Sequence, residues 1–377
     1  MTWTLGLYIA RRFLRVAILS FAAVFVLVVI VDLVERMNQN SEGRAGFADL
    51  VGMAFLHAPV ITMLAAPFTV LLASMACFAW LARSSELVVT RAAGVSVWAV
   101  LAPALAAAAT LGVLTFAVYN PIAAAFADRF EALEERYFGR SSSSLSVSAD
   151  GLWLRQGGPQ GQTVIRAARA SSLVDRLWEV SVFEFGPEDR LIRRIEARTA
   201  ALEVGAWRLN DVRVWQLKEN GAVVLPAEEE APASTAAREE AEMRIGTDLT
   251  PERIQESFAA PRTIGFWELP GFIALLDESG FSSARHRMHW HGLLALPVVF
   301  SAMVLVGAAF SMRHVRFGGL GIMALGCVLS GFGYFFFSDL SQALGASGTV
   351  PVLVAAWAPP ISAMLFALGL LLQLEDG

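Results

Sequence analysis

Five arginines near the ends of two long apolar runs are the residues of this sequence best suited to binding an anion. They follow the first run and the third run, at Arg36, Arg44, Arg129, Arg136 and Arg140. A planar guanidinium group donates two parallel hydrogen bonds to phosphate, so these arginines would suit an anionic lipid headgroup. Acidic residues are interleaved with them, namely Glu35, Asp128, Glu131, Glu134 and Glu135. The alternative is therefore a set of solvated helix ends held by weak ion pairs.

A second charged cluster lies in ARSSELVVTRAAGVS, residues 82–96, between the second and third apolar runs. Ser84 or Ser85 can cap a short helix that Gly94 would end. Glu86 would lie in its first turn, where the helix dipole favours a carboxylate. Such a helix could receive force from a separate subunit, whereas the alternative is an ordinary turn between two helices. The charged residues of the segment are Glu86, Arg83 and Arg91.

Signatures of catalytic and nucleotide-binding sites are missing from the sequence. A P-loop needs a Gly-rich turn followed by Gly-Lys-Ser/Thr, and the single lysine, Lys218, lacks those glycines. The serines at 141–144 have no Gly-x-Ser-x-Gly elbow. His286, His289 and His291 could present imidazoles, but no cysteine is near to complete a metal site, and an interfacial position is the alternative. We therefore predict no catalytic residue, no metal and no cofactor in this chain.

The composition predicts a membrane protein. Hydrophobic residues make up 56% of the chain, charged residues 17%, and the mean hydropathy is +0.55. The formal net charge of −5 argues against a nucleic-acid partner. Six segments can supply the ~20 apolar residues that cross a bilayer. They lie within residues 13–34, 50–82, 92–127, 288–312, 317–338 and 340–374, the last beginning near Val350 after a turn.

The distribution of arginine predicts the orientation, because short loops rich in Lys and Arg stay cytoplasmic. Arginines precede the first segment and lie between the second and third and between the fourth and fifth, at positions 11, 12, 15, 83, 91, 313 and 316. Both termini and the Glu86 segment are therefore predicted to be cytoplasmic. The long stretch between the third and fourth segments is predicted to lie outside.

That central stretch, residues 139–262, is predicted to be an all-β domain. Five runs with apolar alternation are separated by Gly, Pro, Asp and Asn turns. AEEEAPASTAAREEAE, residues 227–242, has dense charge without an apolar period and is predicted to be a solvated loop. LPGFIALLDESG is predicted to be an amphipathic helix that ends at Gly280. The predicted domains are 1–138, with the short helix near 84–94; 139–262; and 263–377, with the amphipathic helix and transmembrane helices 4–6.

Several stretches resemble the lipopolysaccharide export permease family, LptF/LptG, and most closely its LptG branch. LARSSELVVTRAAGVS is similar to that family's cytoplasmic segment, of the form R-S-E-L-V-V-x-x-A-x-G. YIARRFLR before the first helix, SADGLWLRQ in the central domain and LPVVFSAMVLVGAAFSMR in the fourth helix agree with it. Lysines that often mark the outer end of the first helix in relatives are absent, and Arg36 and Arg44 are the nearest cations.

This resemblance implies a multi-pass permease of the Gram-negative inner membrane, with six transmembrane helices (3+3) and an inserted periplasmic β-jellyroll domain. In that family an LptF-like and an LptG-like chain pair over an LptB ATPase dimer. The complex extracts lipopolysaccharide and passes it to a periplasmic bridge of LptC and LptA, toward outer-membrane biogenesis. The chain itself would be no enzyme, since ATP is used by the partner. Glu86, Arg83 and Arg91 would couple it to the ATPase, and the five arginines would contact the phosphorylated headgroup.

Two other functions stay open at this point. One is a permease of an ABC exporter for another lipid-linked or lipoprotein cargo. The other is a membrane-embedded hydrolase that uses His57 or the His286 group. His57 lies in a segment that contains Pro59 and Pro67, where an ionisable residue is a functional candidate, but the sequence indicates no partner for it.

The predicted orientation can be tested with single cysteines at Ser85 and Ser143, in a chain in which Cys77 and Cys327 are replaced. An impermeant thiol reagent added outside should label position 143 and spare position 85, because only the first is predicted to be external. Equal external labelling of the two positions would contradict the orientation. Labelling after permeabilisation serves as the control for reactivity.

Overall fold

The computed structural model describes residues 3–40, 43–138, 145–148, 151–158, 161–171, 176–186, 190–203, 205–216, 238–247, 260–278, 282–312 and 320–375. The chain forms two compact units. A helical unit comprises Met1–Gly139, Arg262–Leu269 and Ala284–Gly377, and a β unit comprises Arg140–Pro261 and Pro270–Ser283. The amphipathic helix thus groups with the sheet rather than with the helices that follow it. The division into domains at residues 139–262 and 263–377 stays a prediction.

Long helices make up most of the described chain. In chain order they are α1 (Trp3–Gln39), α2 (Phe47–Arg83), α3 (Glu86–Ala92), α4 (Val97–Leu114), a π-helical turn (Thr115–Tyr119), α5 (Asn120–Phe138), α6 (Leu269–Glu278), α7 (Ala284–Ser311), α8 (Leu320–Ala346) and α9 (Val352–Glu375). Among the described residues, six helices are long and apolar enough to cross a membrane. The α4, π-turn and α5 segments together count as one of them. The prediction of six apolar helices is confirmed.

Helix α7 is the most deeply packed of these helices and contacts α2 at very short range. A Cβ atom added at Gly307 would lie 2.7 Å from Oγ of Ser74 and 2.9 Å from the backbone nitrogen of Met75, so only glycine fits there. The Ser74 hydroxyl donates to the carbonyl of Val304 at 2.9 Å, and the Ser311 hydroxyl donates to the carbonyl of Met75 at 3.1 Å. Small residues and interhelical hydroxyl bonds are the usual means of joining helices in lipid.

The π turn between α4 and α5 anchors the segment that precedes α6. Its Ala117 carbonyl accepts a hydrogen bond from the indole nitrogen of Trp267 at 3.0 Å. The backbone N–H of Phe266 donates to Oδ1 of the fully buried Asn120 at 2.8 Å. A π turn disturbs the regular hydrogen bonding of the helix and leaves carbonyls available for such partners.

The described residues of the β unit form one antiparallel sheet with its strands in chain order from β1 to β7. They are β1 (Leu145–Ser148), β2 (Gly151–Gly158), β3 (Gly161–Ala170), β4 (Arg176–Phe185), β5 (Leu191–Glu203), β6 (Ala206–Gln216) and β7 (Arg238–Gly246). An antiparallel all-β region is thus confirmed, and its jellyroll type stays a prediction. The first of the five predicted runs divides into the hairpin β1–β2.

Strand β7 corrects the prediction of a solvated loop over 227–242. Residues 217–237 lie outside the described residues, but Arg238–Gly246 pairs with β6 along its length. The strand has little apolar alternation because it lies at the edge of the sheet, where charged side chains are normal. Cross-strand ion pairs such as Arg213 Nε–Glu239 Oε1 at 3.2 Å add to its pairing.

One irregular residue in β4 and one in β6 interrupt the alternation of buried and exposed side chains in these strands. Glu179 of β4 and Asp211 of β6 have positive φ angles of 54° and 53°, which non-glycine residues rarely adopt. In β4 the buried residues are Leu177, Val180 and Val182, and the first two are consequently three positions apart instead of two. Such bulge-like residues bend a strand. Side chains before and after the two irregular residues share one core, which also includes Leu276 of α6.

The contact between α2 and α7 predicts the effect of adding a methyl group at Gly307. Gly307→Ala should lower the stability of the helical unit by about 1–3 kcal/mol, because the Cβ atom would overlap Ser74. Gly292→Ala is the matched control on the same helix, since its Cβ atom would meet nothing within 4 Å. Thermal unfolding in detergent, followed by tryptophan fluorescence, measures both variants. Equal unfolding midpoints would contradict the packing described.

Candidate functional site

At one end of α1, a polar cluster joins α1, α2 and α3. We call it the Glu86 cluster, and it consists of Tyr8, Arg12, Trp80 and Glu86. The Tyr8 hydroxyl donates to Oε1 of Glu86 at 3.4 Å, and Nη1 of Arg12 donates to the Tyr8 oxygen at 3.0 Å. The guanidinium carbon of Arg12 lies 2.9 Å above the indole ring of Trp80. A displacement of α3 is thereby linked to both neighbouring helices.

Helix α3 ends as the sequence predicts. Gly94 has a φ of +79°, and the N–H of Val95 donates to the carbonyl of Thr90 at 3.3 Å, which is the Schellman arrangement. The Ser84 hydroxyl does not cap α3, because it donates to a carbonyl in the last turn of α2. Ser85 precedes the helix with a φ of +62°.

The surface of α3 combines an apolar side chain with charge. Val89 is 67% exposed, which is unusual for a large aliphatic residue, and Arg83 is exposed as well. Glu86 is half-buried beside an open cleft of about 270 Å³ between α1, α3 and the start of α4. The side chain of Arg91 lies outside the described residues. Exposed apolar area with a charged rim is typical of a protein contact.

At the other end of α1, a second polar cluster joins α1, α2 and α5. We call it the Asp32 cluster, and it consists of Asp32, Arg36, His57, Phe130 and Glu134. Oδ1 of Asp32 lies 2.8 Å from Nδ1 of His57, and Oδ2 accepts from Nε of Arg36 at 3.1 Å. Nη1 of Arg36 donates to Oε1 of Glu134 at 3.4 Å. The Phe130 ring stacks on His57 with centroids 4.5 Å apart and lies 4.3 Å from the Arg36 guanidinium carbon.

The electrostatics of the Asp32 cluster follow from its burial. The Arg36 side chain is only 6% exposed. Its buried positive charge is therefore stabilised by the carboxylates of Asp32 and Glu134 rather than by water. Asp32 is shared between a histidine and an arginine, which uses both of its oxygens. Contacts between charged groups strengthen where water is scarce. The cluster therefore fixes the end of α1 against two other helices.

The structure separates the five predicted headgroup arginines into different settings. Arg36 is buried in the Asp32 cluster, while Arg44, Arg129 and Arg136 are exposed. Arg136 places its guanidinium carbon 5.8 Å from the neighbouring tyrosine ring. Arg140 lies outside the described residues. The role of all five in binding stays a prediction.

His57 has a partner that the sequence did not indicate. Its contacts with Asp32 and Phe130 connect three helices, and these contacts contain no Ser or Cys nucleophile for a hydrolase. His286 is buried near the start of α7. Within the described part of the chain, no group of three or more His, Cys, Asp or Glu side chains is placed to hold a metal ion.

Sequence reasoning missed five residues of the two clusters as site residues: Asp32, Phe130, Tyr8, Arg12 and Trp80. One signal was available, because Asp32 and Arg36 are four positions apart and would share a helix face. The other contacts join residues on different helices. Their contacts depend on how each helix is rotated, and a uniformly apolar helix does not reveal its rotation.

Comparison with known proteins agrees with this architecture. The model of the family described as "Lipopolysaccharide export system permease LptF/LptG" matches residues 7–373. The chain is 22% identical to the "Lipopolysaccharide export system permease protein LptG" of Escherichia coli (strain K12), over 93% of each chain. It is also 22% identical to the protein of the same description from Haemophilus influenzae (strain ATCC 51907 / DSM 11121 / KW20 / Rd), over 96% of each chain.

The shared carboxylate of the Asp32 cluster predicts a large effect on stability. Asp32→Ala should cost about 3–5 kcal/mol, because it leaves the buried Arg36 without its main partner. The double variant Asp32→Ala/Arg36→Met should cost less than the sum of the two single changes. Glu35→Ala is the control, since Glu35 contacts only the exposed Gln39 in its described hydrogen bonds. Unfolding in mixed SDS–detergent micelles measures the four variants, and equal effects at positions 32 and 35 would contradict the assignment.

Proposed function

The chain belongs to the lipopolysaccharide export system permease family LptF/LptG, and we propose that it is the LptG-like permease subunit of an ABC transporter. The family is one of transport permeases rather than enzymes. In this proposal the chain works in the bacterial inner membrane. It extracts lipopolysaccharide and passes it to a periplasmic bridge toward the outer membrane.

The observation that carries this proposal is the length of the family match. It extends over residues 7–373 and therefore includes the apolar helices, the sheet and α3 together. A match confined to the helices would suit many membrane proteins. The LptG proteins of two species also align over more than nine-tenths of this chain. A match over nearly the whole chain supports a shared transport role.

The proposed partners are a second, LptF-like permease chain and a dimer of the ATPase LptB. Helix α3 is proposed to contact the ATPase, with Glu86, Arg83 and Arg91 in the contact. Its exposed Val89 and half-buried Glu86 support this role. The Glu86 cluster would then transmit movement of α3 to α1 and α2. ATP would be bound and hydrolysed in the partner.

The lipid is proposed to meet the chain at the end of α1 that carries the Asp32 cluster. Arg36, Arg44, Arg129, Arg136 and Arg140 are the proposed cations for the phosphorylated sugars. Helix α1 exposes large aliphatic residues along its length, such as Leu19 at 70% and Val31 at 60%. Such residues suit acyl chains or a second permease chain, because neither needs polar partners.

The β unit is proposed to be a periplasmic jellyroll-type domain on the path to LptC and LptA. The antiparallel sheet that its described residues form, with an apolar face, supports that assignment. Both termini and α3 would be cytoplasmic, as the arginine distribution predicts.

Affinity purification in mild detergent, with identification of the bound subunits and lipid, tests the function. We expect an LptF-like chain, an LptB-like ATPase and lipopolysaccharide. In this complex Glu86→Ala should weaken the contact with the ATPase by about 2 kcal/mol. This is the low end of the range for buried charge pairs, because Glu86 is only half-buried. Lipopolysaccharide release per ATP hydrolysed should fall, while membrane insertion should be unchanged.

Thr90→Ala is the matched control on α3, because the Thr90 hydroxyl donates to the backbone of its own helix. A Glu86→Ala complex that assembles, hydrolyses ATP and exports lipid normally would exclude the coupling role. A lipoprotein or another lipid in place of lipopolysaccharide would favour the exporter of another cargo.

A further inference from the structure

Arg36 contacts two carboxylates that differ in their exposure to water and in their distance from the guanidinium group. Asp32 is 12% exposed and belongs to the same helix as Arg36, four positions earlier. Glu134 is 23% exposed and belongs to α5. The contact with Asp32 is 3.1 Å long and the contact with Glu134 is 3.4 Å long. The more distant and more exposed carboxylate is the easier one to replace.

Asp32 has features of a fixed support for the guanidinium group. Its second oxygen lies 2.8 Å from the His57 ring, which is itself stacked on Phe130. Because both of its oxygens are engaged and a helix turn separates it from Arg36, it can keep Nε in place while Nη1 changes partner. The Phe130 ring supports the guanidinium group from a third helix.

Glu134 connects α5 to α1 through Arg36. If Glu134 lets go of Arg36, its carboxylate moves toward water at a position that is already partly solvated. Releasing it without a replacement would leave a buried cation short of a partner, which is costly. An incoming anion removes that cost, so the exchange of one anion for another is the low-energy route.

We propose that Glu134 holds the place of a phosphate group: an anionic phosphate monoester takes over Nη1 of Arg36, and α5 is released from α1. This inference rests on the proposed function, which brings a phosphorylated glycolipid to this end of α1. A phosphate monoester carries a charge of about −1.5 to −2 near neutral pH, so it competes well against a single carboxylate. Asp32 and His57 act as positioning residues in both states.

The proposal predicts opposite effects for two acidic residues that both contact Arg36. Glu134→Ala removes the competitor and should lower the half-saturating lipid concentration by about threefold to tenfold. Asp32→Asn weakens the support of Arg36 and should raise that concentration by about tenfold. Simple repulsion of the anion would predict that both substitutions improve binding.

The experiment uses the purified transporter complex in nanodiscs, with a photocrosslinking residue at Met37, an exposed position next to Arg36. Crosslinking is titrated with lipopolysaccharide and with lipopolysaccharide treated with a phosphatase. Glu131→Ala is the matched control, because it removes the same charge from α5 one turn before Glu134. The control should shift the half-saturating concentration less than twofold, and the dephosphorylated lipid should not distinguish Glu134→Ala from the unchanged complex.

A further arm adds inorganic phosphate during the titration. Suppressed crosslinking would support exchange by the free anion as well, and unsuppressed crosslinking would support exchange that requires phosphate on a lipid. Equal shifts for Glu134→Ala and Glu131→Ala overturn the proposal, while lipid binding by the unchanged complex keeps the proposed function. Improved binding in Asp32→Asn also overturns it. Should that variant fail to assemble, the comparison of positions 134 and 131 decides alone. A complex that binds no lipopolysaccharide overturns both the inference and the proposed function.

Discussion

Close contact of helix backbones around α7 is the constraint on which the helical unit depends. Lipid chains are as apolar as leucine, so apolar side chains gain little by leaving lipid for one another. Gly307 lets α7 approach α2 until serine hydroxyls reach carbonyls of the facing helix. Gly112 likewise lets α4 approach α7, because a Cβ atom at Gly112 would lie 2.5 Å from Cα of Pro297 in α7. These contacts have little freedom to change, which makes α7 a fixed support for its neighbours.

Helix α1 is held in a different way. Polar clusters secure it at both ends, through Tyr8 at one and through Asp32 and Arg36 at the other. Between them it exposes a long apolar surface, although Phe13 and Ala17 pack inward. Hydrogen bonds and ion pairs exchange partners more readily than interlocked backbones do. In a transporter built on this plan, α1 is suited to move while α7 stays in place.

The sequence predicts the apolar helices well because crossing a bilayer demands a long charge-free segment, and this signal is strong. It also predicts the end of α3, because Gly94 meets a specific need for positive φ. The prediction of a loop was wrong where β7 begins, because a charged edge strand has no apolar alternation that would reveal it. The partnership of His57 with Asp32 was missed because it depends on the rotation of two apolar helices. The same reason kept Phe130 out of the predicted contacts of Arg36.

The π turn at Thr115–Tyr119 has a consequence for the angular register of α5. A π turn takes up about one residue more than an α turn, and each residue turns an α-helix by about 100°. The face that α5 presents beyond the turn is therefore set by this single extra residue. Phe130 and Glu134 meet α1 on that face. A local irregularity near Trp267 thus determines, some three to five helical turns further on, which side chains reach Arg36.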